Sequence, residues 1–180
     1  MNAEITLKTT HPVQPEWDHA IDIYREAFPP SERIPEDLLV PSNSTTMYLA
    51  QTASGQTVGM AFVAHYHTFD YLYYLAIAHQ SRGAGYGSCI LTALRQRHSG
   101  RDLTLMIEPI TADAPNARER VRRLRFYQRN GLHTLPAHII EEGQPYQILA
   151  TNPQFQPQLL LEGLQSTFGT RLDYELQQLP

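Results

Sequence analysis

The chain holds one cysteine, Cys89, and one lysine, Lys8. A single cysteine excludes an intramolecular disulfide. A single lysine at position 8 excludes the phosphate-binding loop in which a lysine must follow the last glycine. No apolar run approaches the roughly 18 residues that a membrane span needs, so no membrane partner is expected. The opening Met1-Asn2-Ala3-Glu4 has no basic segment leading into an apolar one. A secretory leader is therefore not expected, and a cytoplasmic location is the default. Positive charge is not in excess either: Lys and Arg total 14 against 18 Asp and Glu, a net charge of −4. That balance argues against a general nucleic-acid binder, and no nucleic-acid partner is expected. It is compatible with a cationic acceptor such as an amine.

What is present is an ordinary globular composition, with 42% hydrophobic and 18% charged residues over 180 positions. This fits one domain able to bury a core. Glu4 to Thr9 alternates polar and apolar residues and reads as a strand. Pro15 opens a helix with Trp17, Ile21, Tyr24 and Phe28 at helical spacing, which Pro29-Pro30 stops. A short helix is expected from Ser31 or Pro35 to Val40. Three strand-like runs follow: Thr46 to Thr52, Thr57 to His67 and Tyr71 to Ala78, joined by hairpin-length turns.

A glycine-dense turn then leads into a helix reaching about His98. Leu103 to Ile107 is a short buried strand. Asp113 and Pro115 signal a helix that Asn130-Gly131 ends. Strands over about Leu135 to Glu141 and Pro145 to Ala150 close the core, with Glu142-Gly143 as the turn. Hairpins before the glycine turn and α/β alternation after it predict an α/β (α+β) fold. Its sheet is mixed, mostly antiparallel and six- to seven-stranded, with helices on both faces. Leu159-Leu160-Leu161 and Leu164 mark a further helix, so residues 152–180 are expected as a C-terminal helical extension packed on the domain formed by 1–151.

The most informative stretch is Leu75-Ala76-Ile77, then Arg82-Gly83-Ala84-Gly85-Tyr86-Gly87-Ser88. Here a strand runs into a turn with glycine at alternate positions, and a helix starts directly after. Backbone N–H groups in such a turn converge on one point, and the helix N-terminus adds partial positive charge. The arrangement suits a phosphate or pyrophosphate, and Arg82 adds a full charge beside it. A dinucleotide fold would need G-x-G-x-x-G early in a βαβ unit, whereas here G-x-G-x-G follows four strands. A tight strand-to-helix connection with no ligand is the plain alternative.

Arg82-x-x-Gly85-x-Gly87 resembles the pyrophosphate-binding signature of the GNAT superfamily of acetyltransferases, and Leu75-Ala76-Ile77 resembles the end of that family's central strand. Phe126-Tyr127-Gln128-Arg129-Asn130-Gly131-Leu132 resembles its second signature, with Leu132 in place of phenylalanine. The similarity in element order runs from Glu4 to about Thr151.

The resemblance implies a transferase that moves acetyl from acetyl-CoA directly to a primary amine of a small molecule or peptide. It implies that two central strands, here Tyr71 to Ala78 and Leu103 to Ile107, splay to admit acetyl-CoA. The pantetheine arm would pair with Leu75, Ala76 and Ile77. The pyrophosphate would rest on the amides of Gly83, Ala84, Gly85, Tyr86, Gly87 and Ser88, with Arg82 beside it, and a backbone N–H near Ile77 would face the thioester carbonyl.

Tyr127 is expected to serve the leaving thiolate; otherwise it is a core aromatic beside Leu124. Glu108 is the first candidate for the base, against a reading as a solvated carboxylate before Pro109. Arg123 or Arg120 is expected to meet the CoA 3′-phosphate. Glu32 and Glu36 are candidates for contacting a cationic substrate. His65 and His67, two apart on one strand, line a cleft or the surface, and no metal is expected. A homodimer is possible by the same resemblance. Two alternatives stay open: a non-catalytic acyl-CoA-binding module of the same fold, and an unrelated nucleotide-binding α/β enzyme.

Overall fold

Alternating or continuous apolar runs build four successive antiparallel strands: β1 (Ile5–Thr10), β2 (Thr45–Thr52), β3 (Thr57–His65) and β4 (Phe69–Ile77). Each pairs with the next in sequence. β3 is buried without interruption from Val58 to Ala64, which requires cover on both of its faces. One face is covered by α1 (Pro15–Ala27): the rings of Tyr24 and of Phe28, its C-cap, lie 4.8 and 4.7 Å from the Tyr74 ring of β4. The other is covered by α2 (Tyr86–Arg97). At Gly59 of β3 a Cβ would stand 2.5 Å from the Ala76 carbonyl oxygen and 3.1 Å from Ile90 Cδ1 of α2. Only glycine permits that approach. Tyr74 donates its hydroxyl to Glu32 O at 2.9 Å and accepts from Ile34 N at 3.0 Å, which ties the segment after α1 to β4. On the surface, Lys8 of β1 is ion-paired with Glu16 of α1.

β4 carries a bulge. Phe62 pairs with Tyr74 while the next residue, Val63, pairs with Leu72, so Tyr73 is inserted. The insertion exchanges the faces of the strand on either side of it. Asp70, before the bulge, and Ile77, after it, are seven apart, yet Asp70 lies 3.6 Å from His98 at the C-terminal cap of α2, and Ile77 Cδ1 sits with Ile90 Cδ1 of α2 over Gly59.

The remaining elements are β5 (Asp102–Ile107), α3 (Ala117–Arg129), β6 (His133–Glu141), β7 (Gln144–Ala150), α4 (Pro157–Phe168) and β8 (Tyr174–Gln178). β5 pairs with β7, β7 with β6, and β6 with β8, all antiparallel. α3 packs on β5, and α4 packs on β6 and β8 through Leu160, Leu161, Leu164 and Phe168. The computed structural model describes residues 4–179. Met1 to Ala3, on which the expectation about a leader rests, lie outside the described residues, as does Pro180. The chain forms two compact units, Met1–Arg101 and Asp102–Pro180. Among the described residues no helix is long and apolar enough to cross a membrane.

Three expectations change. Eight strands are present among the described residues, not six to seven, because the extension does not end as a helix. Its last stretch becomes β8, where Tyr174 is buried and Leu176 half-buried on one side of a polar run. α3 starts at Ala117, since 111–116 is taken up by turns, with Ala114 N bonded to Thr111 O and Ala117 N to Ala114 O. β3 stops at His65, so His67 lies in the hairpin turn and does not share a strand face with His65.

Candidate active site

β4 ends at Ile77, and a single 3-10 turn, His79–Ser81, carries the chain to Arg82. Gly83 and Gly85 then take φ of +81° and +83°, the left-handed region that glycine enters without strain. A Cβ at either would meet nothing within 4 Å, so the space over the turn is open. α2 begins at Tyr86, and its first internal bonds run from Ser88 N to Gly85 O (3.1 Å) and from Cys89 N to Gly85 O (3.4 Å). Among the described residues, none accepts from the amides of Gly83, Ala84, Gly85, Tyr86 or Gly87. These unsatisfied donors lie at the positive end of a helix dipole. Arg82 is exposed and donates through Nε to Ile77 O at 3.2 Å, which holds its guanidinium beside the turn. The donor set therefore fits a diphosphate. Leu75 and Ile77 are half-buried and Ala76 buried.

On the second unit Glu108 follows β5. Its Oε1 accepts from Arg120 Nη2 at 2.6 Å, and its Oε2 accepts from Arg123 Nη1 at 3.1 Å and Asn116 Nδ2 at 3.2 Å. Arg120 also donates to Asn116 Oδ1 (2.7 Å) and Pro109 O (2.8 Å). The carboxylate is thus a clamp that fixes two arginines of α3. Tyr127, one helical turn beyond Arg123, is half-buried. Burial pushes its phenol up to about 12, with the Arg123 charge pulling the other way. Among the described residues, none hydrogen-bonds the Tyr127 hydroxyl.

The backbone after Tyr127 is fixed as firmly. Gly131 sits at φ +81°, Gly131 N donates to Gln128 O at 3.0 Å, and Leu132 N donates to Tyr127 O at 3.1 Å. This is a Schellman stop, with Leu132 buried behind it. The Gly131-Leu132 pair of the second signature thus ends α3 and holds the carbonyl of the residue that carries the phenol.

A third cluster was not expected as a unit. Asp70 is buried, and its Oδ1 accepts from His65 Nδ1 at 2.9 Å while Arg101 Nε reaches both oxygens at 3.2 Å. His98 Nδ1 stands 3.6 Å from Oδ2. Thr46 Oγ1 and Tyr48 OH meet the other ring nitrogens of His65 and His98 at 2.9 and 3.1 Å. Burial alone would raise the Asp70 carboxyl. The hydrogen bonds from His65 and Arg101 and the nearby positive charges outweigh it, and the group is held below its ordinary value. Burial lowers His98, against the opposing pull of Asp70. Three ligand atoms for a metal come together here, but the Arg101 guanidinium already neutralises the carboxylate.

The family model of the acetyltransferase (GNAT) domain matches residues 43–132, which hold both signatures, the glycine turn and Tyr127. The chain belongs to the GNAT acetyltransferase family. As a GNAT acetyltransferase it uses acetyl-CoA. No curated protein matches it in sequence. Among solved structures, a protein from Bacteroides thetaiotaomicron described as an acetyltransferase of the GNAT family is similar with a TM-score of 0.70 and 17% identity, covering 92% of this chain and 97% of that one. A GNAT acetyltransferase from Elizabethkingia anophelis, solved with acetyl-CoA bound, gives 0.58 and 17%, covering 83% and 98%. A spermidine N-acetyltransferase variant from Vibrio cholerae gives 0.60 and 12%, covering 82% and 92%. At these identities the likeness is one of fold.

Within this GNAT acetyltransferase, the first unit carries Leu75, Ala76 and Ile77 at the end of β4 and, beyond the His79–Ser81 turn, Arg82 and the amides of Gly83 to Gly87, for which no described residue is an acceptor. The second unit brings Glu108 to Arg120 and Arg123. Glu36 is held by Arg25 through two 2.7 Å hydrogen bonds, which lower its carboxyl and occupy it. The bulge at Tyr73 and the Asp70 cluster are what the sequence reading missed.

Proposed function

We propose that this GNAT acetyltransferase is an N-acetyltransferase that moves acetyl from acetyl-CoA directly to a primary amine of a small molecule or peptide. The observation that carries the reading is the open turn at Gly83–Gly87, whose amides have no acceptor among the described residues and face open space. The CoA diphosphate supplies acceptors of matching charge. In the same reading Leu75, Ala76 and Ile77 bind the pantetheine arm as an added strand would. The similarity in fold to a spermidine N-acetyltransferase supports an amine acceptor of cationic type.

In the reaction the amine nitrogen attacks the thioester carbonyl carbon, the C–S bond breaks, and an amide and CoA thiolate result. Two protons matter. The amine must shed one, and the thiolate must be stabilised. Tyr127 is the proposed group for the second task. With a phenol at about 12 and a thiol near 8.5, full transfer would be uphill by about 5 kcal/mol. The phenol therefore works as a hydrogen-bond donor that stays protonated. Glu108, expected as the base, has its oxygens taken by Arg120, Arg123 and Asn116. Its role in this proposal is to position Arg123 for the cofactor phosphate, and the amine proton leaves to water.

A thermal-shift series with acetyl-CoA, CoA, NAD and ATP tests the binding half. Ligand at about 100 times its Kd adds roughly 2.7 kcal/mol to apparent stability, a rise of roughly 5–10 °C for a protein of this size. Acetyl-CoA and CoA are expected to give it, and Gly85→Glu to abolish it. A rise with NAD or ATP alone would overturn the reading. CoA release with a panel of amines tests the transfer half, and binding without release with any amine would leave a non-catalytic acyl-CoA module.

A further inference from the structure

Tyr74 joins two parts of the first unit that are remote in sequence. Its ring is buried against Tyr24 and Phe28, a contact that phenylalanine would make equally well. What tyrosine adds is the hydroxyl, which is bonded to the backbone of one segment: it donates to Glu32 O at 2.9 Å and accepts from Ile34 N at 3.0 Å. The residue that follows Tyr74 is Leu75, the first of those assigned to the pantetheine arm. The bulge makes this link possible. In a regular strand Tyr74 would share the face of Asp70, toward the C-terminal cap of α2. The insertion of Tyr73 turns it to the α1 face. Further ties run between α1 and segment 28–36, and within that segment. Tyr24 donates to Ile34 O at 3.2 Å, Arg25 holds Glu36 through two bonds of 2.7 Å, and Arg33 donates to Phe28 O at 2.6 Å. These give the segment its shape, and Tyr74 fastens it to β4.

We infer that Tyr74 is a positioning residue for the acetyl acceptor: by fixing segment 28–36 to β4 it sets the wall that the acceptor amine meets. The inference rests on the acetyl-transfer reading. In that reading the thioester lies along β4 beside Ile77. On one face of the strand α2 is in the way, since Ile90 and Ile77 close over Gly59. The acceptor therefore approaches on the α1 face. There Phe28, Glu32 and Arg33 are half-buried, at the boundary with solvent. A wall that touches the body of the acceptor, away from its reacting nitrogen, serves the ground state and the transition state alike. Loosening it raises KM for the amine and spares kcat.

CoA release by the full chain, with spermidine, 2-phenylethylamine and a lysine-containing peptide as acceptors, tests the inference on whichever amine has the highest kcat/KM. In Tyr74→Phe the amine KM should rise at least roughly tenfold, as a small misplacement can produce, while kcat and the acetyl-CoA KM stay within about twofold. Tyr24→Phe removes a hydroxyl from the same aromatic cluster and keeps the tie to β4, so its amine KM should stay within about threefold. In the parent protein, adding the amine to the CoA complex should slow hydrogen exchange across 28–36, a readout that needs no variant to fold. An unchanged amine KM in Tyr74→Phe, an equal rise in Tyr24→Phe, or exchange across 28–36 that ignores the amine would each overturn the inference and leave acetyl transfer standing. So would a fall in kcat with both KM values rising together, the mark of general loosening. A parent that releases CoA with none of the amines would remove the acetyl-transfer reading and the inference with it.

Discussion

At Tyr127 the surroundings suit one position to the role proposed for it. Burial keeps its hydroxyl protonated through any working pH, and no described neighbour uses that hydrogen. Tyr127→Phe is expected to lower turnover at least roughly tenfold, the low end for a positioned proton donor, with acetyl-CoA affinity unchanged. Steady-state kinetics beside a binding isotherm checks it, and unchanged turnover removes the role. Asp70 and His98 set a second expectation, for acid stability. His98 is lowered from 6.5, so the unfolded chain binds that proton more readily and stability falls as pH drops through about 6.5. Asp70 is lowered from 3.8, so its contribution is complete above that value and is lost as pH falls through its folded value. Melting temperature against pH should thus fall in two stages, and His98→Asn should remove the upper one. A single stage near pH 4 in the parent protein would contradict the assignment of His98.

At the scale of elements, the stop of α3 joins sequence to site. Gly131 must hold a positive φ so that Leu132 N can reach the Tyr127 carbonyl. Gly131→Ala should cost roughly 1–2 kcal/mol, read as a drop in melting temperature of roughly 2–8 °C, with turnover falling because the last turn of α3 loosens. A stability unchanged within about 0.5 kcal/mol would show the cap to be dispensable. Elements of this kind were legible in the sequence because glycine marks them: the turn before α2 and the end of α3 both carry residues chosen for backbone shape. The bulge in β4 was not legible, since Tyr73 is as good a strand residue as its neighbours and only the pairing with β3 reveals the insertion. The Asp70 cluster was hidden for another reason. Its members at 46, 48, 65, 70, 98 and 101 come from three strands, a helix end and a loop, and no spacing along the chain records their meeting. Glu108 stands out in the sequence at the end of β5, but its pairing with Arg120 and Arg123 depends on the phase of α3 relative to β5, which is a tertiary fact.

For the molecule as a whole, the two units differ in how they are closed. The second, Asp102–Pro180, includes α4 and β8, and α4 buries Leu160, Leu164 and Phe168 to 2% exposure or less. Each buried side chain of this size contributes about 1.5–3 kcal/mol, so together with Leu161 they rival the whole stability of an ordinary domain, about 5–15 kcal/mol. Deleting residues 152–180 would also bare the edge of β6. The truncated protein should lose hydrogen-exchange protection across β5, β6 and β7 and aggregate, while retained protection would show the extension to be an ornament. The same whole-molecule view gives the ion pair between Lys8 and Glu16 a meaning beyond stability. An acetyltransferase is itself exposed to acetyl-CoA at every turnover. This sequence offers one side-chain amine in 180 residues, and that amine is engaged by a carboxylate. Self-modification has one lysine to act on, so the catalyst's surface charge does not drift as it works.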